Sequence, residues 1–231
     1  KWVLVDDNNA EYSIDRNDFS AQVNGNKISF DVVFNAIHGT PGEDGLMQAY
    51  FQILGIPQTA CDYYQAALTF NKRDLLSVLK PYGIKTANSY YLNEGDVINT
   101  ADIVKAVGLP CFVKPNKAGS SFGISKVKLE SELNTAIEKA FKEDNEIIIE
   151  SFLDGTEVSV GVINYKGKIT VLPITEIVSE NEFFDYEAKY LGKSQEITPA
   201  RLSPEMTEKV GTIAKKVYQV LKMSGFSRSE Y

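Results

Sequence analysis

"CFVKPNKAGSSFGISKV", Cys111 to Val127, is the stretch on which the reading of the fold turns. It starts as a buried-looking strand, reaches Lys114, and then runs through Gly119, Ser120, Ser121 and Gly123, with further lysines on either side. Backbone amides freed by glycine, set beside lysine charge, hold anionic oxygens well, so the stretch reads as a phosphate cradle at a strand end. Taken alone, "GSSFG" is more readily a plain turn. The rest of the chain has to decide between the two.

Upstream, "IKTANSYYL" and "DVINTADIVKAVGLP" read as a strand and a helix leading into the cradle. Downstream come the helix "ESELNTAIEKAFKED", the strand "EIIIESFL", and a hairpin built from "TEVSVGVI", the turn "NYKGK" and "ITVLPITEIVS". Strands joined by hairpins make an antiparallel sheet, so this part is α+β. "SPEMTEKVGTIAKKVYQVLKMSG" is a helix with Ser203 as its cap and Glu205 and Glu208 early in it. Between hairpin and helix, Glu180 to Leu202 shows no clean period, which in a compact domain marks a functional loop.

The first part reads differently. "WVLV", "EYSI" and "VNGNKISF" are short edge strands, the last with an Asn-Gly turn signal. "FDVVFNAIHG" is a continuous apolar strand ending at His38, followed by a helix with Leu46, Tyr50, Ile53 and Leu54 at helical spacing and by "IPQTAC" as another short strand. Alternating strand and helix predicts α/β layers. A helical stretch from Asp62 closes at Pro81 and Gly83, and a boundary between the two architectures is expected between Leu68 and Gly83.

With 231 residues, 43% hydrophobic and 24% charged, the chain is expected to bury a real core in two compact units rather than one. A formal net charge of -7 argues against nonspecific nucleic-acid binding, although "VKPNKAGSSFGISKVK" is locally basic. Cys61 and Cys111 lie in apolar segments without a CxxC spacing and read as buried thiols. No run reaches the ~18 apolar residues of a membrane span, and no signal peptide is visible, so a cytoplasmic protein is expected. The start at Lys1 without methionine and the end inside the strand-like "FSRSEY" predict that pieces of the natural protein lie beyond both ends.

Several ATP-binding solutions drop out, because the chain has no GxxxxGK[ST], no HRD or DFG and no GxGxxG. What remains is "VKP" on one strand, the glycine-serine loop, and "EIIIESFLDGTE", whose polar end suits a purine and ribose. Lys72, Lys114 and Lys189 are the candidate phosphate cations, Glu150 the candidate for an adenine amino group, and Glu157 for ribose hydroxyls. Singly, each has a duller reading: a surface lysine, a solvated strand end, a structural histidine at His38, an ion pair of Arg228 with Glu230. Their joint occurrence in one order outweighs those readings.

"HGTPGEDG" at His38 to Gly45, "KAGSSFGISKV" at Lys117 to Val127, "IIESFLDGTEVSV" at Ile148 to Val160, "FFDYEAKY" at Phe183 to Tyr190 and "GFSRSEY" at Gly225 to Tyr231 resemble the ATP-grasp enzymes and, within them, the D-alanine–D-alanine ligases. The resemblance implies an ATP-grasp fold in three parts: an N-terminal α/β substrate domain over 1–67, a central α+β domain over 68–154, and a C-terminal α+β domain with a lid loop over 155–231. By position it implies that Lys72, Lys114 and Ser121 touch ATP phosphates, that Glu150 and Leu153 border the adenine, that Glu157 meets the ribose, and that Lys189 lies on the γ-phosphate side. Ser120 and Tyr190 match a hydrogen-bonded pair in the family's active site, His38 a histidine near the first alanine, Arg228 the arginine that steadies the acyl oxygen, and Glu230 a metal ligand. The family's glutamate-bearing first loop is not in this sequence, and its second acidic ligand and asparagine would fall after Tyr231.

What the resemblance implies for function is ATP-dependent joining of two D-alanines for peptidoglycan precursor synthesis, with Mg2+ or Mn2+. The partners implied are D-alanine, ATP and a second copy in a homodimer, with no nucleic acid and no membrane. Alternatives are a D-alanine–D-lactate or D-alanine–D-serine ligase, an ATP-grasp ligase for another carboxylate and amine, and a nucleotide-binding module without catalysis. "YEAKY" favours the dipeptide former.

Overall fold

A computed structural model of the chain describes residues 2–119, 121–179 and 194–231. Its centre is a four-stranded antiparallel sheet of β5 (Ser89–Asn93), β6 (Cys111–Pro115), β7 (Ser125–Val127) and β8 (Glu146–Ser151), in the order β5-β8-β6-β7. Side chains alternate across a strand, so Cys111, Val113, Val127, Ile147, Ile149 and Leu92 share one face. That face packs on α4 (Thr100–Val107) and α5 (Leu133–Phe141) through Ile103, Val107, Leu133, Ile137 and Ala140. Asn99 starts α4 by accepting the Asp102 amide. The opposite face carries Phe112, Lys114, Lys126 and Glu150, and this is the side on which the polar site is built.

A second, five-stranded antiparallel sheet follows after the connection 152–156. It holds β9 (Glu157–Tyr165), β10 (Lys168–Val171), β11 (Thr175–Ser179), β12 (Ser194–Ile197) and β13 (Phe226–Glu230), with β9 pairing to β10, β11 and β13. Val158, Val160 and Val162 are buried against Ala214 and Tyr218 of the long helix that follows β12. This helix spans Pro204–Val220, and Ser203 caps it by accepting the Met206 amide at 3.2 Å, as its sequence predicts. β12 falls within the stretch that shows no period in the sequence. It pairs with β11, which supplies the hydrogen bonds that four residues do not specify by pattern alone.

The N-terminal part corrects the sequence reading in two places. Its first thirty residues form an antiparallel meander of their own, β1 (Val3–Val5), β2 (Glu11–Asp15), β3 (Ser20–Val23) and β4 (Asn26–Ile28), with the predicted Asn24-Gly25 turn in left-handed conformations at φ 50° and 82°. "FDVVFNAIHG" is not a strand: Val33 makes a single parallel bridge to Gln58, donating to the Pro57 carbonyl at 2.9 Å and accepting from Thr59 at 3.1 Å. "IPQTAC" is likewise reduced to that bridge. A parallel strand persists when neighbours satisfy it along its length, and among the described residues this one meets a neighbour at one point.

The helix α1 (Leu46–Leu54) buries Met47, Gln48 and Phe51 and exposes Leu46 and Ile53, the reverse of the face read from spacing. Phe51 decides it, because its ring packs edge-on to Phe19 at 4.8 Å in a cluster with Trp2 and Tyr50. The predicted single helix after Asp62 is two, α2 (Tyr63–Phe70) and α3 (Lys72–Leu79), broken at Asn71, whose side chain caps α3 from the Asp74 amide. A 3₁₀ turn, Lys80–Tyr82, ends at Gly83 as expected from Pro81 and Gly83. No helix among the described residues is long and apolar enough to cross a membrane.

Candidate active site

β6 and β8 set Lys114 and Glu150 on the same face, two pairs apart in register, and the ammonium reaches the carboxylate at 2.9 Å. Both are partly buried, at 26% and 14% side-chain exposure, so a nucleotide would meet a charge pair already in place. Lys114 also lies 5.3 Å from the centre of the Phe112 ring, and Lys126 lies 4.2 Å from that of Phe152. Phe112, Lys126 and Phe152 were missed by sequence reasoning. Period-two alternation outward from Lys114 would have found Phe112, and Lys126 sits directly opposite Phe112 across the β6–β7 pair.

Lys72 opens α3 and extends its ammonium to the carbonyls of Ala118 at 2.9 Å and Asn116 at 3.3 Å. The structure thus brings Lys72 to the foot of the glycine-serine loop. Gly123 is needed there: it has φ 69°, and a Cβ would come within 2.8 Å of Pro115 and 2.7 Å of Glu143. Ser121 adopts the left-handed region at φ 60°, which non-glycine residues seldom enter without a reason.

The "HGTPGEDG" loop reaches the same place from the other side. A Cβ on Gly119 would lie 3.7 Å from the Glu43 carboxylate, and that carboxylate accepts the Gly39 amide at 2.5 Å. Thr40 donates to Asp44, and Gly45, at φ 93°, leaves no space for a side chain against the Tyr63 carbonyl. His38 sits in this loop and is exposed.

The second sheet contributes its face opposite the Pro204–Val220 helix. Glu157 opens β9, and Arg228 and Glu230 of β13 pair in register with Gly161 and Ser159 on that same face. Arg228 donates to Glu230 at 3.3 Å, with both side chains open to solvent. Leu153 lies in the 152–156 connection at 69% exposure. Among the described residues, no hydrogen bond or ion pair links His38, Arg228 or Glu230 to the lysines of the central sheet. Ser120, Lys189 and Tyr190, and with them most of the expected lid, lie outside the described residues.

The donor set fits a nucleotide and a hard divalent ion unequally. Lysines, a glycine-rich loop and the strand-end carboxylates Glu150 and Glu157 suit ATP. For the metal the described residues offer Glu230, and they hold no group of three or more His, Cys, Asp or Glu able to bind an ion. Mg2+ commonly takes one or two carboxylates and completes its shell with phosphate oxygens and water, so one carboxylate at the open face is compatible with it. The two cysteines are buried as expected, and burial pushes both thiols up to about 11.

Comparison with known proteins matches this arrangement. A family model described as "D-ala D-ala ligase C-terminus" matches residues 78–231, and one described as "D-ala D-ala ligase N-terminus" matches residues 4–61. A D-alanine–D-alanine ligase of Flavobacterium johnsoniae is 81% identical over the whole chain, which spans 72% of that protein. One from Christiangramia forsetii is 64% identical over the whole chain, which spans 71% of it. Among solved structures, the VanG D-Ala:D-Ser ligase from Enterococcus faecalis superposes with a TM-score of 0.79 at 34% identity, covering 99% of this chain and 65% of its own.

Proposed function

Since the chain belongs to the D-alanine–D-alanine ligase family, ATP-dependent ligases of the ATP-grasp fold that join two D-alanines, we propose how its residues divide that work. The observation that carries the division is that Lys72 reaches the foot of the glycine-serine loop and Lys114 stands on the open face of the central sheet, with Arg228 and Glu230 on one face of the next. Lys72, Lys114 and Ser121 hold the ATP phosphates, Glu150 and Leu153 border the adenine, and Glu157 accepts from the ribose.

A carboxylate is a poor acyl donor because its oxygen leaves badly. An oxygen of the first D-alanine carboxylate therefore attacks the γ-phosphorus, ADP leaves, and an acyl phosphate results. Lysine charge offsets the negative charge that spreads over the phosphoryl oxygens. Mg2+, held by Glu230 together with phosphate oxygens, would supply further charge neutralisation there. The deprotonated amine of the second D-alanine then attacks the acyl carbon, inorganic phosphate leaves, and Arg228 stabilises the tetrahedral oxyanion. His38 contacts the first alanine. Ser120, Lys189 and Tyr190, outside the described residues, complete the set; an acyl phosphate hydrolyses, so water has to be kept from it.

Three separate sheets support a division into units over 1–67, 68–154 and 155–231. A homodimer and a cytoplasmic location belong to the same reading, since peptidoglycan precursors of this kind are built from soluble substrates. The test is ADP release with magnesium in the presence of D-alanine, L-alanine, or D-alanine with D-serine or D-lactate, with the product weighed by mass spectrometry. Release that requires D-alanine alone and yields D-alanyl-D-alanine supports the reading. A mixed product in preference to the dipeptide moves it toward the D-alanine–D-serine or D-alanine–D-lactate type, and no D-amino-acid-dependent release contradicts it.

A further inference from the structure

Asn116 follows β6 directly and is 1% exposed. A buried primary amide is costly unless its donors and its acceptor are used, and here they are. Its Nδ2 donates to Asn71 Oδ1 at 2.8 Å and to Glu146 Oε2 at 3.1 Å, while its Oδ1 accepts the Arg73 amide at 2.8 Å. Its backbone amide donates to the Glu146 carbonyl at 2.9 Å, and its own carbonyl accepts from the Lys72 amide and the Lys72 ammonium, both at 3.3 Å. One asparagine therefore grips three consecutive residues, 71 to 73, at the start of α3.

Glu146 completes the joint. Its carboxylate takes Arg73 Nη2 from α3 at 2.6 Å and Lys117 Nζ from the cradle at 2.9 Å. The hydrogen bond from Lys117 holds the Glu146 carboxyl below the usual glutamate range, and the same contact raises Lys117. Lys117 is also tied through its amide to Asp144 at 2.6 Å. Helix start, cradle foot and the first residue of β8 are thus one hydrogen-bonded body.

A lysine ammonium is a compact charge on a flexible four-carbon stem, so its usefulness toward a phosphate depends on what fixes it. Lys72 is fixed by two carbonyls, and one of these belongs to Asn116 itself. We propose that Asn116, joined to Glu146, is a positioning residue for the phosphate end of the nucleotide site, placing the Lys72 ammonium against the cradle at Lys117 to Gly119. The inference rests on the reading of Lys72 as a phosphate ligand. It predicts that loss of the amide misplaces charge at the phosphates and leaves the adenine end, on Glu150 and Leu153, untouched.

The experiment titrates ATP and adenosine, with magnesium, into the protein and into Asn116→Ala, Glu146→Gln and Lys72→Ala, below the melting temperature of each. Asn116→Ala is expected to weaken ATP about tenfold while adenosine stays within about twofold, as misplacing a binding group by a fraction of an ångström does. Glu146→Gln keeps the size and one acceptor and loses the ion pairs to Arg73 and Lys117, so the same ratio is expected to move in the same direction by less. In turnover, the KM for ATP should rise with the KM for D-alanine unchanged. An unchanged ATP-to-adenosine ratio in a folded Asn116→Ala protein would reduce Asn116 to a structural residue and overturn the proposal. If that variant does not fold, an unchanged ratio in Glu146→Gln overturns it. Lys72→Ala separates the two layers: a shifted ratio there with none in the other variants sinks the positioning role alone, and no shift in Lys72→Ala removes the phosphate reading and the proposal with it.

Discussion

The two open faces that make the site are built to different degrees. Around the central sheet four cations have fixed addresses: Lys114 on Glu150, Lys72 on two carbonyls, and Arg73 and Lys117 on one carboxylate. On the second sheet Arg228 and Glu230 stand in solvent and share one 3.3 Å contact. The difference follows the chemistry proposed for each side. Phosphates carry charge in every state of the reaction, so their cradle profits from being rigid beforehand, whereas the oxyanion exists only during acyl transfer. ATP binding and acyl transfer should therefore be separable by substitution.

The largest expected effect is on the exposed side. Arg228→Ala should lower dipeptide formation by roughly 10² to 10³ with ATP affinity unchanged, read by product mass and by nucleotide titration. If ATP affinity fell in parallel, the two faces would not be divided as described. Next is the layer beneath the cradle: Ile149→Ala, at a fully buried position on β8 facing α4 and α5, should cost about 2 to 5 kcal/mol in chemical denaturation. Ile53→Ser, on a side chain 83% exposed, should change stability by less than about 0.5 kcal/mol, which sharpens the contrast between the central and N-terminal units.

Lys114→Ala should weaken ATP by roughly ten- to a hundredfold and adenosine far less, the scale of a charge-assisted hydrogen bond. Equal losses for both ligands would mean that the lysine serves the purine end through Glu150.

The smallest effect concerns pH. The Arg201 guanidinium grips Glu176 at 2.6 Å and 2.9 Å and holds its carboxyl at about 2, against an ordinary value of 4.5. A depressed carboxyl contributes stability above its unfolded value and loses it as pH falls through the folded one. The contribution is therefore complete above about pH 4.5 and disappears toward pH 2. Arg201→Met should lower the melting temperature slightly at neutral pH and flatten its fall between those values. An unaltered acid limb would show that the pair contributes nothing.

Much of the central and C-terminal architecture was legible because its signals are local. The apolar runs in "CFVKP" and "EIIIES" and the Ser203 cap, like the Asn-Gly turn near the N-terminus, each specify structure within a few residues. "FDVVFNAIHG" was misread because an apolar, β-prone run states a preference, and the pairing that fulfils it is non-local. In α1 two apolar stripes compete, Leu46 with Ile53 and Met47 with Phe51, and only the aromatic cluster around Phe19 decides between them. Lys72, Lys114 and Glu150 could be named as candidates from the motifs, but the Lys114–Glu150 ion pair and the carbonyls that hold Lys72 could not. Asn116 carries no signal at all in the sequence, since an asparagine after a proline reads as a turn.

The most direct measurement of the division is to trap the acyl phosphate with hydroxylamine in the unaltered protein and in Arg228→Ala, with ATP, magnesium and D-alanine. The account predicts that D-alanine hydroxamate still forms in the variant while D-alanyl-D-alanine falls by roughly 10² or more, because phosphoryl transfer relies on the central sheet and acyl transfer on the second. Hydroxamate and dipeptide falling together would contradict it.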